Sequence, residues 1–178
     1  MAASAESPGK EKRSAGSGRS RGSSIQVVEF VLGDGLFAVD LFDVKEVVEY
    51  TTITKVPNVP PFVRGIIDLR GEITTIIDLK QRLNIEDGTG GPADSSRIMV
   101  LDDTITRNKI GILVDDVRSV STFEPEMVDY SSASVSREAS PVTGIIRRKV
   151  NVKDREKNEL IIWIEIRKLL SDIDGEMT

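Results

Sequence analysis

The chain has 178 residues, a net charge of −5, and neither histidine nor cysteine. Those absences remove the side chain that titrates near neutral pH, the readiest nucleophile and the usual soft metal ligands. Catalysis would have to rest on carboxylates, lysines, hydroxyls or a borrowed cofactor in a recognisable local arrangement, and none is present, so the chain reads as a binding protein with no catalytic residue, metal or cofactor.

Residues 1–24 hold Lys10, Lys12, Arg13, Arg19 and Arg21 against Glu6 and Glu11, are rich in Ser, Gly and Ala, and have no large apolar side chain after Met1. Such a segment cannot offset its ordering entropy by burial, so a disordered basic tail is expected ahead of one folded domain over 25–174. The remainder is acidic, which argues against a nucleic-acid partner, because phosphate contacts dominate that affinity. No run of 18 apolar residues occurs, the N-terminus is polar, and missing cysteine fits a reducing compartment. A soluble, cytoplasmic protein without membrane insertion is expected.

From Ile25 onward the pattern is that of strands. Val28, Phe30 and Leu32 share one face of a run that ends at Gly33-Asp34-Gly35, and 36–39 resumes the apolar pattern, which predicts a hairpin. The segment 41–50 fits helix or strand, since Leu41, Val44, Val47 and Val48 also have helical spacing. A second hairpin is expected from 66–69 and 73–77, with Arg70, Gly71 and Glu72 between them. Asp78 is placed to cap a short helix, with Gln81 three residues on and Leu79 and Leu83 on one face. A loop over 84–96 follows, then apolar runs at 97–101 and 109–114, a Ser-rich loop at 131–140, and runs at 141–146 and 159–164. Ile166, Leu169, Leu170 and Ile173 lie opposite Arg167, Lys168, Ser171 and Asp172, the signature of a C-terminal amphipathic helix docked on the strands.

A weak internal repeat runs through these pieces. Gly65-Ile66-Ile67 recurs as Gly144-Ile145-Ile146, the stretch 76–80 recurs loosely as 163–167 ahead of a short helix, and 39–47 aligns with 113–120 with one gap. The common order predicts two similar five-stranded β-barrels sharing a hydrophobic core.

The stretches Phe30-Val31-Leu32-Gly33 and Phe37-Ala38-Val39-Asp40, then Val44-Lys45-Glu46-Val47-Val48, and the block from Pro61-Phe62-Val63-Arg64-Gly65 to Leu69-Arg70-Gly71 carry a resemblance to the CheW-type chemotaxis coupling proteins. It continues through Gly111-Ile112-Leu113-Val114-Asp115 and the Gly144 segment to the final helix, covering roughly 27–170. It implies two SH3-like β-barrels and a non-catalytic adaptor. The implied partners are the regulatory domain of a CheA-type histidine kinase, met by barrel surfaces, and the cytoplasmic tip of chemoreceptors, met in a groove between the barrels. The alternative is the same module in a non-chemotactic kinase pathway.

The resemblance singles out Arg70, in the family's Leu-Arg-Gly motif, as a partner-binding residue; its planar guanidinium suits a bidentate pair with a partner carboxylate. Val44 and Glu46 fall in a segment that faces partners in the family, though Val44 fits the core equally well. Gly65 and Gly71 read as backbone requirements, for close packing and for positive φ respectively. Asp68 replaces the family's common Asn, and sits where it could either sequester Arg70 or orient it. Asp40, Asp43, Asp102, Asp103, Asp115 and Asp116 lack the alternating ligands and turn glycine of a hard-cation loop, so they read as solvated strand ends.

Overall fold

In the computed structural model, residues 23–86, 93–131 and 140–176 are described, with side chains through Ser171. The tail to residue 22, the middle of the 84–96 loop, most of the Ser-rich stretch and the Asp172 and Ile173 side chains lie outside the described residues.

The first hairpin pairs β1 (Ile25–Leu32) with β2 (Gly35–Asp40) around Gly33-Asp34. Gly33 takes φ +56, and its amide donates to Asp115 Oδ2 at 2.7 Å. The ambiguous 41–50 segment divides: Leu41–Asp43 is a single 3-10 turn, capped by Asp40 Oδ1 accepting from the Phe42 amide at 2.9 Å, and β3 (Val44–Glu49) follows. Strand wins because residues 97–101 offer an antiparallel ladder to β-branched Val44, Val47 and Val48, whereas helix would leave that edge unpaired. Next come β4 (Val63–Leu69), β5 (Glu72–Asp78), α1 (Leu79–Arg82), β6 (Arg97–Leu101), β7 (Ile110–Val114), β8 (Asp116–Phe123), β9 (Val128–Asp129), β10 (Val142–Val152), β11 (Arg155–Ile164) and α2 (Ile166–Glu176).

Two sheets result, ordered β8-β1-β2-β11-β10-β9 and β3-β6-β7-β5-β4. Each closes on itself. In the first, β8 and β9 are one strand bent by the 3-10 turn Pro125–Met127, so the chain that pairs with β1 on one side reaches β10 on the other. In the second, the chain beyond β3 bridges back to β4 through Thr54 and Ile66, whose amides and carbonyls exchange two 2.9 Å hydrogen bonds. Counted this way each barrel has five strands, as expected. We call the first the terminal barrel and the second the central barrel.

The repeat is visible in the pairing. Gly65 and Gly144 both follow a register shift in an antiparallel ladder, and β5 and β11 each pair in parallel with the second strand of a hairpin. The barrels do not coincide with the halves of the repeat, however. Hairpin β1-β2 enters the terminal barrel while β3, β4 and β5 build the central one, and hairpin β6-β7 and strands β8 to β11 make the reverse exchange.

This interleaving shapes the core. Val27, Ala38, Phe123, Val128, Ile146 and Ile161 fill the terminal barrel, and Ile67, Ile76, Ile98, Val100 and Leu113 the central one. Between them lies a larger shared cluster that includes Phe30, Leu32, Ile77, Leu79, Met99, Ile112, Ile164 and Leu169. Burying one such side chain contributes roughly 1.5–3 kcal/mol, so the shared cluster ties the barrels together. Val28, Phe30 and Leu32 face it together, as their spacing predicts, and Ile166, Leu169 and Leu170 seat α2 on it. Asp78 caps α1, accepting from the Lys80 and Gln81 amides, with Leu79 and Leu83 on the shared core.

Candidate partner-binding site

One end of the central barrel collects most of the residues singled out by sequence. The β4-β5 loop is shorter than expected: Leu69 pairs with Glu72, so only Arg70 and Gly71 make the turn, both at positive φ (53° and 83°). That geometry matches the right-handed twist of the strands, and glycine relieves the second position. Asp68 Oδ1 accepts from the Gly71 amide at 2.8 Å and pins the turn.

Arg70 does not pair with Asp68. Its guanidinium reaches across the barrel closure to Glu46 on β3, in a bidentate contact of 2.8 Å (Nη2 to Oε2) and 3.2 Å (Nη1 to Oε1). Arg70 lies in the turn at φ +53 and not in the strand, so the shared face expected for it and Asp68 does not apply, and the carboxylate that holds it is Glu46. The arginine side chain stays 73% exposed while that of Glu46 is 24% exposed. Two of five guanidinium N–H groups are thus engaged and three remain for a partner.

A chain of exposed and half-buried charges lies beside the site. Lys45 Nζ lies 3.1 Å from Asp103 Oδ2, Lys109 Nζ is 3.6 Å from Asp103 Oδ1, and Lys109 also contacts Glu72. The Lys45 hydrogen bond and the Lys109 charge hold the Asp103 carboxyl below the ordinary aspartate range, and the Glu72 contact raises Lys109. Val44 is half-buried against the shared core, so of its two open roles the structure favours packing; Val47 is the exposed valine of β3, and Ile73 is exposed beside the turn. Gly65 packs against the Thr54 carbonyl, and Gly71 has open space around it. Among the described residues no cluster of carboxylates has metal-binding geometry; Asp40 and Asp102 cap their own turns, and Asp115 pairs with Lys80 at 2.7 Å.

Sequence reasoning missed a second arrangement, inside the terminal barrel. Glu29 is 1% exposed and meets Arg148 (Oε1 to Nη2 2.9 Å, Oε2 to Nη1 3.0 Å), Ser119 Oγ (3.0 Å) and Ser121 Oγ. Burial pushes the Glu29 carboxyl up, but Arg148 and the two serine hydroxyls outweigh it and leave the carboxyl below the ordinary glutamate range. The available signal was a charge between buried neighbours in Val28-Glu29-Phe30. A groove of about 480 Å³ lies at the crossover from β2 toward β3, lined by Asp40, Asp43, Thr143, Trp163, Glu165 and Arg167. There burial and the neighbouring Asp40 charge raise the Asp43 carboxyl.

This geometry invites comparison with known proteins, and the CheW-like domain family matches residues 26–174. The chain belongs to that family. The chemotaxis protein CheW of Treponema pallidum (strain Nichols) is 29% identical to this CheW-like chain over 148 residues, 82% of each protein. The probable chemotaxis protein CheW of Rhizobium etli is 29% identical over 156 residues, 85% of this chain and 90% of that one. The crystal structure of the scaffolding protein TtCheW from Thermoanaerobacter tengcongensis superposes with a TM-score of 0.67 at 34% identity, covering 83% of this chain and 93% of that one. The fold is mainly β, two SH3-like barrels around a shared core.

The Asp68 hydrogen bond carries a prediction. Asp68→Asn keeps an oxygen for the Gly71 amide and leaves Arg70 on Glu46, so stability is expected to change by under about 0.5 kcal/mol, whereas Asp68→Ala should cost about 1 kcal/mol. Urea denaturation of both variants distinguishes the cases. Equal losses in the two would mean that the charge, and not the acceptor, matters.

Proposed function

We propose that this CheW-like chain is a non-catalytic adaptor of the cytoplasm that couples the tip of chemoreceptors to the regulatory domain of a CheA-type histidine kinase in chemotaxis. The carrying observation is the exposed end of the central barrel: a guanidinium fixed by Glu46 with donors to spare, next to exposed Val47 and Ile73 and a charged rim. Apolar anchors within polar surroundings are the anatomy of a protein interface. The acidic groove where the chain crosses between the barrels supports a second contact for a helical receptor segment. No helix among the described residues is long and apolar enough to cross a membrane.

Arg70→Glu tests the reading. An exposed pair such as Arg70–Glu46 contributes at most about 1 kcal/mol to stability, so the variant should fold. Binding to purified kinase or receptor fragment should weaken by about 2–4 kcal/mol, because an attraction at the interface becomes a repulsion. Titration at tens of micromolar by calorimetry reads this out. A variant that binds both partners as wild type does would remove Arg70 from the interface, and a wild-type chain that binds neither would remove the proposed function.

A further inference from the structure

The terminal barrel carries a feature that its counterpart lacks. Eight residues run from Gly144 to the β10-β11 turn, against four from Gly65 to the β4-β5 turn. At about 3.3 Å per residue the extra length carries a two-stranded ribbon roughly 13 Å further out. β9 covers β10 only at Ile145 and Ile146, and β2 covers β11 only at Ile161 to Trp163. Beyond Ile146 the outer edge of β10 therefore has no neighbouring strand among the described residues. The 3-10 turn Pro125–Met127 peels the chain away at that point, and a cleft of about 680 Å³ opens there, between Arg147 and Lys149 on one wall and Met127 and Tyr130 on the other.

The two faces of the exposed β10 stretch differ in chemistry. Val150 and Val152 share one face with Lys157 and Arg155 across the ladder, while Arg147, Lys149 and Asn151 lie on the other. Residues 147–159 hold six cations and three anions in a chain whose net charge is −5. Arg147 and Arg148 are paired internally, and Lys149 lies 3.5 Å from Glu156 with both side chains mostly exposed; Lys153, Arg155 and Lys157 have no ion-pair partner among the described residues. Val152 is 51% exposed.

The geometry points to the β10 edge from Arg147 to Val152 as a further docking surface, for an extended acidic protein segment that adds to the terminal barrel as another strand. Main-chain hydrogen bonds supply affinity in such strand addition, and alternate side chains supply specificity. An added strand alternating apolar and acidic residues would lay one set on Val150 and Val152 and the other beside Arg147 and Lys149. Lysines on an exposed edge also discourage pairing with like chains. That role explains the charges but not the length, since the β4-β5 hairpin manages its edges without an extension. The same cations that repel a second ribbon select an acidic strand. Nucleic acid is disfavoured, because residues 147–160 contain no aromatic side chain for base stacking and three acids interrupt the cations.

The surface belongs to the other barrel from Arg70, so it is testable without kinase or receptor. The probe is a capped peptide of about eight residues alternating Glu and Val, with a Lys–Val peptide as its counterpart. At about 1 mM, the acidic peptide is expected to slow hydrogen exchange of the Arg147–Val152 amides of the full chain by about tenfold. The double variant Lys149→Glu, Lys153→Glu, both sites exposed, should lose that protection while its free-state exchange elsewhere stays unchanged. Added salt should weaken the wild-type effect. Absence of protection, equal protection by the Lys–Val peptide, or full protection in the folded double variant would each overturn the proposal. So would stronger protection by a single-stranded oligonucleotide or an anionic vesicle.

Discussion

Arg148→Ala is expected to lower the unfolding free energy by about 3–5 kcal/mol, the cost typical of removing one partner of a buried ion pair. Glu29 is almost wholly buried, and Arg148 meets both its oxygens. Without the guanidinium, Ser119 and Ser121 remain, and two hydroxyls cannot compensate a carboxylate taken out of water. The pH dependence separates this cause from simple loss of packing. In the wild type the folded carboxyl titrates below the ordinary glutamate value of 4.5, so its stabilisation is complete above that value and is lost as pH falls through the folded pKa. In the variant, burial acts with less opposition and the folded pKa lies above that of the wild type, so the folded state takes up a proton more readily and loses less stability on acidification. The deficit should therefore be largest near neutral pH and shrink below it. Denaturant unfolding at a series of pH values checks this, with Glu29→Gln as companion. A pH-independent deficit would show that Arg148 acts through its contact with the Phe123 ring, 5.8 Å away, and not through the pair.

Gly65→Ala is the second large effect, on the order of 3 kcal/mol or more. A Cβ there would stand 2.1 Å from the Thr54 carbonyl oxygen and 2.8 Å from Ile53 Cγ2, and the glycine holds φ at +145°. Neither neighbour can yield cheaply, because the Thr54 carbonyl accepts from the Ile66 amide in the bridge that closes the central barrel. Gly71→Ala makes the comparison informative. It has positive φ but nothing within contact distance of the added carbon, so only the conformational cost of about 1 kcal/mol applies. Melting curves for the two variants should differ by several degrees. If they coincide, the closure at Thr54 is looser than its geometry implies.

Much of this protein was legible in one dimension, because the signals were local. The hairpin at Gly33, the Asp78 cap, the α2 stripe through Ile166 and Leu169, and the need for glycine at 65 and 71 each depend on a few adjacent residues and their periodicity. The Gly65 and Gly144 echoes were legible for the same reason: each marks a register shift where two backbones approach. The missing histidine and cysteine narrowed the chemistry, and the long match from Phe30 to the final helix carried the family.

Only the tertiary structure decided the rest, because it depends on which distant segments meet. No pattern within 39–47 says that the chain leaves one barrel there and enters the other, since that exchange is set by which sheet offers a partner edge. Arg70 lies two residues from Asp68 in sequence but binds Glu46, twenty-four residues away, because closure of the barrel brings β3 beside the β4-β5 turn. Glu29 is buried by strands from the other half of the repeat, with Arg148 119 residues distant. The β10-β11 ribbon escaped notice because polar, charged alternation without apolar periodicity reads as loop; only pairing to its opposite strand makes it a ribbon.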